Sequence, residues 1–379
     1  MFDRRYWVDR VEDAWTRRSL IWLVGVRRVG KTVLSRSLED VEYFDCELPS
    51  VRRLLEDPEA FLRSVDGRRL VLDEVHRLAD PSELLKIAVD HFSNVRILAT
   101  GSSTLQATSK FRDSLSGRKE EIWLTPMIEA DRLSAGGSLR ERLASGGLPA
   151  HYLQGGSDRD VQDWLDSYWA KDIQELFRLE RRAGFARFVE LVLTRSGGVF
   201  EATAFAGPAQ ISRSTVANYL SVLEITKVAH VIRPFSTKRA NELTHAPKVY
   251  GFDTGFVATL RGWGELRDED LGSLWEHYVL NEIQARTRGI EIRYWRARGQ
   301  EVDFVLVGRG TAPVAIECKW RADGREHLRG LKAFRRLYPE GGSFVVASDV
   351  DRPFQRELMP GVTVRFVGLE HLVEAVTAG

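Results

Sequence analysis

The stretch Gly25-Val26-Arg27-Arg28-Val29-Gly30-Lys31-Thr32 fits the phosphate-loop pattern G-x-x-x-x-G-K-[ST] at every position. The apolar run Leu20-Ile21-Trp22-Leu23-Val24 precedes it, and the helical-looking segment Val33-Leu34-Ser35-Arg36-Ser37-Leu38 follows. Strand, loop and helix in that order are what phosphate binding needs. Gly25 and Gly30 let backbone N–H groups curl around phosphate oxygens, and the start of the helix adds a favourable dipole. Lys31 would reach the β- and γ-phosphates, and the Thr32 hydroxyl would hold Mg²⁺. Arg27, Arg28, Val29 and Val33 complete the expected contact set, and the expected ligands are ATP and Mg²⁺.

Working outward, short apolar runs alternate with helical periodicity, the pattern of a parallel sheet covered by helices on both faces. The run Arg69-Leu70-Val71-Leu72-Asp73-Glu74 reads as a buried strand ending in two acids. In ATP-hydrolysing phosphate-loop proteins an aspartate there holds Mg²⁺ through water, and the next glutamate polarises the attacking water. Val95-Arg96-Ile97-Leu98-Ala99-Thr100-Gly101-Ser102 is a strand with a hydroxyl tip. Thr100 or Ser102 would sit between the γ-phosphate and the acidic pair.

Composition narrows the setting. The chain has 379 residues, enough for two to four domains. Its 55 basic and 54 acidic residues leave a net charge of +1, so any nucleic-acid surface must be a local patch. Cys46 and Cys318 cannot build a disulfide framework, and no Cys/His spacing resembles a zinc site; a reducing cytoplasm is the expected setting. The N-terminus does not read as a signal peptide, and apolar runs stop at strand length, so no membrane partner is expected.

Leu115-Ser116-Gly117-Arg118 stands just before the strand Glu121-Ile122-Trp123-Leu124 and Pro126. Here the chain resembles the AAA+ ATPases, in particular bacterial and archaeal ATPases with a C-terminal domain called DUF4143. That resemblance places an arginine before the fifth strand, projecting into the neighbouring subunit's nucleotide. Arg118 holds that position, with Arg112 as the alternative. The resemblance therefore implies hydrolysis in a homo-oligomer, with a hexameric ring as the expected form, because an arginine finger in trans stabilises charge in the transition state.

From Ile128 to about Arg182 the pattern is helical, with breaks at Ala135-Gly136-Gly137 and Ser145-Gly146-Gly147-Leu148-Pro149; the second break resembles a signature of the same family. The aromatic stripe Trp164, Tyr168, Trp169, Phe177 reads as core. Residues 185–252 look like a winged helix: helices over 185–196, 201–206 and 212–224, broken at Gly197-Gly198 and Gly207-Pro208, then two strands. The third helix starts with Ser212-Arg213-Ser214-Thr215, good capping chemistry. Its apolar face would leave Arg213, Asn218 and Ser221 for a DNA groove. Lys238 and Arg239 would tip the wing, and the local excess of basic residues suits phosphate contact.

In the last third, Arg298-Gly299-Gln300-Glu301-Val302-Asp303 begins a strand, and Val314-Ala315-Ile316-Glu317-Cys318-Lys319 forms the next. Together they resemble the D…ExK pattern of the PD-(D/E)xK phosphodiesterase fold. Strand period two puts Glu317 and Lys319 on one face and Cys318 on the other, in the core. Antiparallel pairing would bring Asp303 beside Glu317 as a two-carboxylate Mg²⁺ site, with Lys319 activating water or steadying the phosphate. The helix Leu274–Ile283 matches the leading helix of that fold; Glu276 is the usual extra acid there, with Glu282 as the alternative and Glu301 nearby.

The expected fold is thus α/β: an AAA+ core over 1–127, a helical lid over 128–184, a winged-helix DNA-binding domain over 185–262 and a PD-(D/E)xK-like domain over 263–379. The expected function is an oligomeric, DNA-binding ATPase acting on branched or broken DNA in repair or recombination, with Mg²⁺-dependent nuclease activity. The alternative is a nucleotide-controlled regulatory or defence switch whose C-terminal parts bind protein.

Overall fold

Leu20, Ile21, Trp22, Leu23 and Val24 are all buried, as expected of a strand covered on both faces. In the computed structural model, which describes residues 2–101, 111, 113, 115–177, 182–236, 245–322 and 328–377, this strand is β1. It is joined by β2 (Glu42–Asp45), β3 (Arg69–Asp73), β4 (Arg96–Thr100) and β5 (Lys119–Trp123) in a parallel sheet of order β2-β3-β4-β1-β5. The order places the phosphate loop, which follows β1, next to the tip of β4, and the acidic end of β3 one strand further. Several surrounding helices start with Pro49, Pro58 or Pro81, whose fixed φ suits a first turn. Asp57 and Asp80 cap two of them, accepting from Ala60 N at 3.0 Å and Glu83 N at 3.1 Å.

The chain divides into two compact units. The first comprises Met1–Gly137, Leu148–Ala186 and Leu220–Val228, and the second Ser138–Gly147, Arg187–Tyr219 and Ala229–Gly379. In the first, the helix Arg5–Arg17 buries Trp7, Val8, Val11, Ala14 and Trp15, one stripe at helical spacing. The helices Pro149–Gln154 and Asp158–Tyr168 lead into a π-helical turn, Trp169–Ile173. Trp164, Tyr168, Trp169 and Ile173 are buried and Phe177 is half-buried, so all of the stripe but its last ring is core.

Among the described residues the second unit holds a mixed sheet of nine strands. They are β6 (Gly198–Val199), β7 (Ala229–Pro234), β8 (Lys248–Gly251), β9 (Glu291–Ala297), β10 (Gln300–Val307), β11 (Val314–Lys319), β12 (Ser343–Ala347), β13 (Phe354–Met359) and β14 (Val362–Val367), in the order β13-β14-β12-β11-β10-β9-β7-β8-β6. β7 and β8 pair antiparallel, while β7 also pairs parallel with β9 through Arg233–Arg293 and Pro234–Tyr294. Strands from 185–262 and 263–379 therefore share one sheet. The helix Asp268–Arg286 packs on it with Leu271, Leu274, Trp275, Tyr278 and Ile283 buried, and the Trp275 Nε1–H donates to Val346 O at 3.1 Å.

Helices run over Arg182–Thr194, Ala202–Ala209 and Arg213–Ile225. The second does not break at Gly207-Pro208 but continues to Gln210, whose φ of +56° stops it. A proline has a helical φ and near the end of a helix removes a single bond, which this alanine-rich segment tolerates. Thr215 N donates to Ser212 Oγ at 3.1 Å, the expected cap of the third helix. Among the described residues no helix is long and apolar enough to cross a membrane.

Candidate functional site

The phosphate loop turns because its glycines permit it. A Cβ on Gly25 would lie 2.5 Å from Leu124 O, and Gly30 has φ +101°, a value side chains resist. The loop opens on a cavity of about 460 Å³ lined in part by Arg27, Arg28, Gly30, Lys31, Thr32 and Val33. Gly25 and Val29 do not line it. Val29 is fully buried, and its carbonyl accepts from Arg4 Nη1 at 3.0 Å. Arg4 also donates to Thr125 O at 2.9 Å and to Asp131 Oδ2 at 2.6 Å, and Trp7 Nε1 reaches the same carboxylate at 3.2 Å. This buried brace joins the first helix, the loop and the segment after β5, and no local motif marks it.

Lys31 Nζ donates to Gly25 O at 2.9 Å and Val26 O at 3.3 Å, at the centre of the loop. Burial lowers its pKa, while the charges of Glu74, Asp172 and Asp73 pull it back up. The cavity wall also includes Glu47, Glu74, His76, Arg77, Gly101, Lys171 and Asp172.

Asp73 ends β3 with both carboxylate oxygens engaged. Thr100 Oγ1 donates to Oδ1, and the Tyr43 hydroxyl donates to Oδ2 at 2.5 Å. Thr100 Oγ1 in turn accepts from the Glu74 N–H at 3.1 Å. Glu74 has φ +57°, a strained value for a side-chain-bearing residue and one that clusters at functional sites. Its carboxylate lies 3.1 Å from His76 Nδ1. Burial pushes its pKa up, but the His76 bond and the Lys31 charge outweigh that and keep it below the ordinary carboxylate value. Thr100 is thus the hydroxyl that ties the acids together; Ser102 lies outside the described residues. The oxygen donors, the Thr32 hydroxyl on the cavity wall and the Asp73 carboxylate at the end of β3, are of the kind a hard cation such as Mg²⁺ takes.

Arg118 stands at the other end of the sheet. Lys119 pairs with Leu20, the first residue of β1, so about 13 Å of strand separates Arg118 from its own phosphate loop. Its Nε donates to Asp90 Oδ1 at 2.8 Å, and its side chain is partly exposed. Arg112 lies outside the described residues.

In the second unit, β10 and β11 pair antiparallel with Phe304 opposite Ile316, the residues next to Asp303 and Glu317. Asp303 Oδ2 accepts from Cys318 N at 2.8 Å, and Lys319 Nζ donates to Glu317 Oε1 at 2.7 Å. Cys318 is buried on the opposite face from Glu317 and Lys319. Among the described residues the buried Glu317 Oε2 has no hydrogen-bond partner, which makes it an acceptor suited to a cation. Burial together with the Glu276 and Glu317 charges raises the Asp303 pKa well above the usual range, and burial pushes Glu317 up to about 7 against the pull of Lys319.

Local sequence signals did not reveal Lys248 of β8. Its Nζ donates to Glu276 Oε1 at 2.9 Å and Glu301 Oε1 at 2.6 Å, and the Tyr250 hydroxyl also donates to Glu276. A lone lysine opening an otherwise apolar strand was the available clue. Glu276 is thus engaged by Lys248, while Glu282 is buried 3.9 Å from Arg286. Among the described residues no three His, Cys, Asp or Glu side chains gather as a metal site. Asp303 and Glu317 are the pair whose donors fit a divalent cation.

Arg213, Asn218 and Ser221 are exposed on the helix Arg213–Ile225, whose Val216, Tyr219 and Leu223 are buried. Lys238 and Arg239 lie outside the described residues.

The chain matches the AAA domain family over residues 17–131, a domain of unknown function, DUF8612, over 136–267, and the domain of unknown function DUF4143 over 271–364. Uncharacterised proteins of Mycobacterium bovis and Mycobacterium tuberculosis are each 28% identical to it over 332 residues, covering 84% of this chain and 74% of theirs. The solved Walker-type ATPase PABY2304 of Pyrococcus abyssi is 17% identical, with 69% of this chain and 96% of that chain covered and a TM-score of 0.43.

Proposed function

We propose that this chain, which belongs to the AAA+ ATPases with a C-terminal DUF4143 domain, couples its ATP hydrolysis to action on DNA. In this reading it works as a homo-oligomer, and the second unit cuts the phosphodiester backbone. The observation that supports the DNA reading is that Asp303 accepts from Cys318 N and Lys319 donates to Glu317 across the paired strands β10 and β11, with a buried Glu317 oxygen that has no hydrogen-bond partner among the described residues.

In the first unit, Lys31 and the loop N–H groups bind the phosphates, and Thr32 and Asp73 would hold Mg²⁺. When bound, that ion neutralises charge on the phosphate oxygens. Glu74, kept ionised by His76 and Lys31, accepts a proton from the attacking water. Arg118 cannot serve its own site across the sheet, so it serves a second copy. In the second unit, Asp303 and Glu317 would hold the divalent cation, and Lys319 orients on the phosphate from its seat beside Glu317. The exposed Arg213 and Asn218 supply groove and backbone contacts.

A second reading has its own support. Lys248 ties up Glu276 and Glu301, which favours a nucleotide-controlled switch whose second unit binds protein. The deciding experiment incubates the full chain with single-stranded, duplex and four-way-junction DNA, with and without ATP, in Mg²⁺ or Mn²⁺. DNA-stimulated ATP turnover, together with nicking that disappears in Asp303→Ala and Glu317→Ala, supports the first reading. DNA that is neither bound nor cut, and leaves turnover unchanged, favours the switch.

A further inference from the structure

A carboxylate that faces the phosphates repels them unless a cation offsets its charge, so Asp172 needs a partner at an ATP site. It lines the nucleotide cavity, beside Lys171, from the π-helical turn Trp169–Ile173. That turn carries an extra residue: Gln174 N returns to Trp169 O instead of to the next carbonyl along. Such insertions are costly and gather at functional positions. Here Trp169 and Ile173 stay in the core while Lys171 and Asp172 reach the cavity.

The partner of Asp172 is in the phosphate loop. Arg27 Nε donates to Asp172 Oδ2 at 2.8 Å, with the two side chains 26% and 15% exposed. Among the described residues Asp172 is the hydrogen-bond partner of the Arg27 side chain. The bond uses Nε–H and leaves the terminal amino groups for another acceptor. The loop backbone is gripped from the same side, since Trp164 Nε1 donates to Arg27 O at 3.0 Å. Arg27 is thus fixed at its carbonyl and at its Nε, with only the end of the guanidinium unassigned.

We propose that Asp172 is a positioning residue of the ATP site: it holds Arg27 side-on so that the terminal amino groups of the guanidinium meet the nucleotide phosphates. The carboxylate is neutralised by the arginine it orients, so its charge does not oppose the nucleotide. This rests on the ATPase reading and adds a residue from outside the phosphate loop and the acidic strand end. An arginine on a flexible stem loses less freedom on binding when already held, which is how such a pair raises affinity without touching the ligand.

A double-mutant cycle with the full chain tests it, with binding of a non-hydrolysable ATP analogue read by calorimetry and folding checked by thermal melting. Asp172→Ala should weaken binding roughly tenfold, the scale of one charge-assisted hydrogen bond at a partly exposed site. Asp172→Asn, which keeps an acceptor, should recover part of that loss. In an Arg27→Ala background the loss should vanish: removing Asp172 then leaves affinity unchanged, because no guanidinium remains to be positioned. An equal loss in both backgrounds, or tighter binding by Asp172→Ala alone, overturns the proposal. A wild-type chain that binds no analogue refutes the nucleotide reading itself, an outcome separate from an additive cycle.

Discussion

Replacing Thr100 with valine removes a hydroxyl while nearly preserving volume, and that hydroxyl has two partners. It donates to Asp73 and accepts from the Glu74 N–H at 3.1 Å. The side chain is fully buried, so water does not replace either bond. A hydrogen bond to a charged group contributes about 1.5–3 kcal/mol, and an orphaned buried donor costs about 1–3 kcal/mol. The two overlap, since both follow from one lost oxygen, and a stability loss of roughly 2–4 kcal/mol is expected. Turnover should suffer more specifically. Glu74 sits at φ +57°, and Thr100 is what fastens its N–H to Asp73. Without that tie the glutamate relaxes, and kcat should fall roughly 10- to 100-fold, about 1.4–2.8 kcal/mol of barrier. Thr100 does not line the cavity, so affinity for a non-hydrolysable analogue should change by less than about tenfold. Phosphate release across a range of ATP concentrations, with calorimetric binding alongside, separates the two effects. Thr100→Ser keeps the oxygen and should restore most of kcat. Wild-type kcat in Thr100→Val, or no recovery in Thr100→Ser, would refute the reasoning.

Lys31→Ala should abolish tight ATP binding, whereas Glu74→Gln should bind ATP and fail to hydrolyse it; equal affinity of the Lys31 variant and wild type in a binding titration would sink the assignment. Arg118→Ala should bind ATP normally and lose turnover by roughly 10³-fold, with partial recovery on mixing with Lys31→Ala. A monomeric mass in ATP and no recovery would make Arg118 a surface residue paired with Asp90. Glu317, pushed up to about 7 by burial, keeps a proton in the folded chain that the unfolded chain releases near its ordinary value. The contribution of Glu317 to the stability of the second unit should therefore be highest below that ordinary value, fall by up to roughly 3 kcal/mol as pH rises to about 7, and level off above it. Chemical denaturation at several pH values checks this, and a slope that persists unchanged in Glu317→Gln would refute the attribution.

Much of the nucleotide site was legible in the chain because its chemistry is local. A phosphate loop is made of consecutive backbone N–H groups, and its glycines and lysine sit at spacings set by a single turn. The acidic pair Asp73-Glu74 likewise needs only a strand to end where it does. Strand alternation alone separates Glu317 and Lys319 from Cys318, and the antiparallel pairing of β10 with β11 follows from their proximity in sequence. The helix over Ala202–Ala209 was harder, because Gly207-Pro208 reads as a break by propensity while the loss of one terminal bond is too small to enforce it.

Tertiary structure decided which distant charges meet. Arg4 finds Asp131 127 positions away, Arg27 finds Asp172 145 positions away, and Lys248 finds Glu276 and Glu301 28 and 53 positions away. Nothing in the composition around these residues distinguishes them from the many solvated arginines, lysines and acids of a nearly neutral chain. Their roles arise because a buried charge must be paired, and the choice of partner belongs to the topology that buries it. The junction of β7 with β9 is of the same kind. It is a pairing between strands separated by the whole helix Asp268–Arg286, and it brings Lys248 into the sheet that carries Asp303 and Glu317. The sequence by itself determined where the phosphate-loop, acidic-pair and Glu-x-Lys motifs stand, because each is written in adjacent residues; the folded chain determined which remote side chains hold those residues in place.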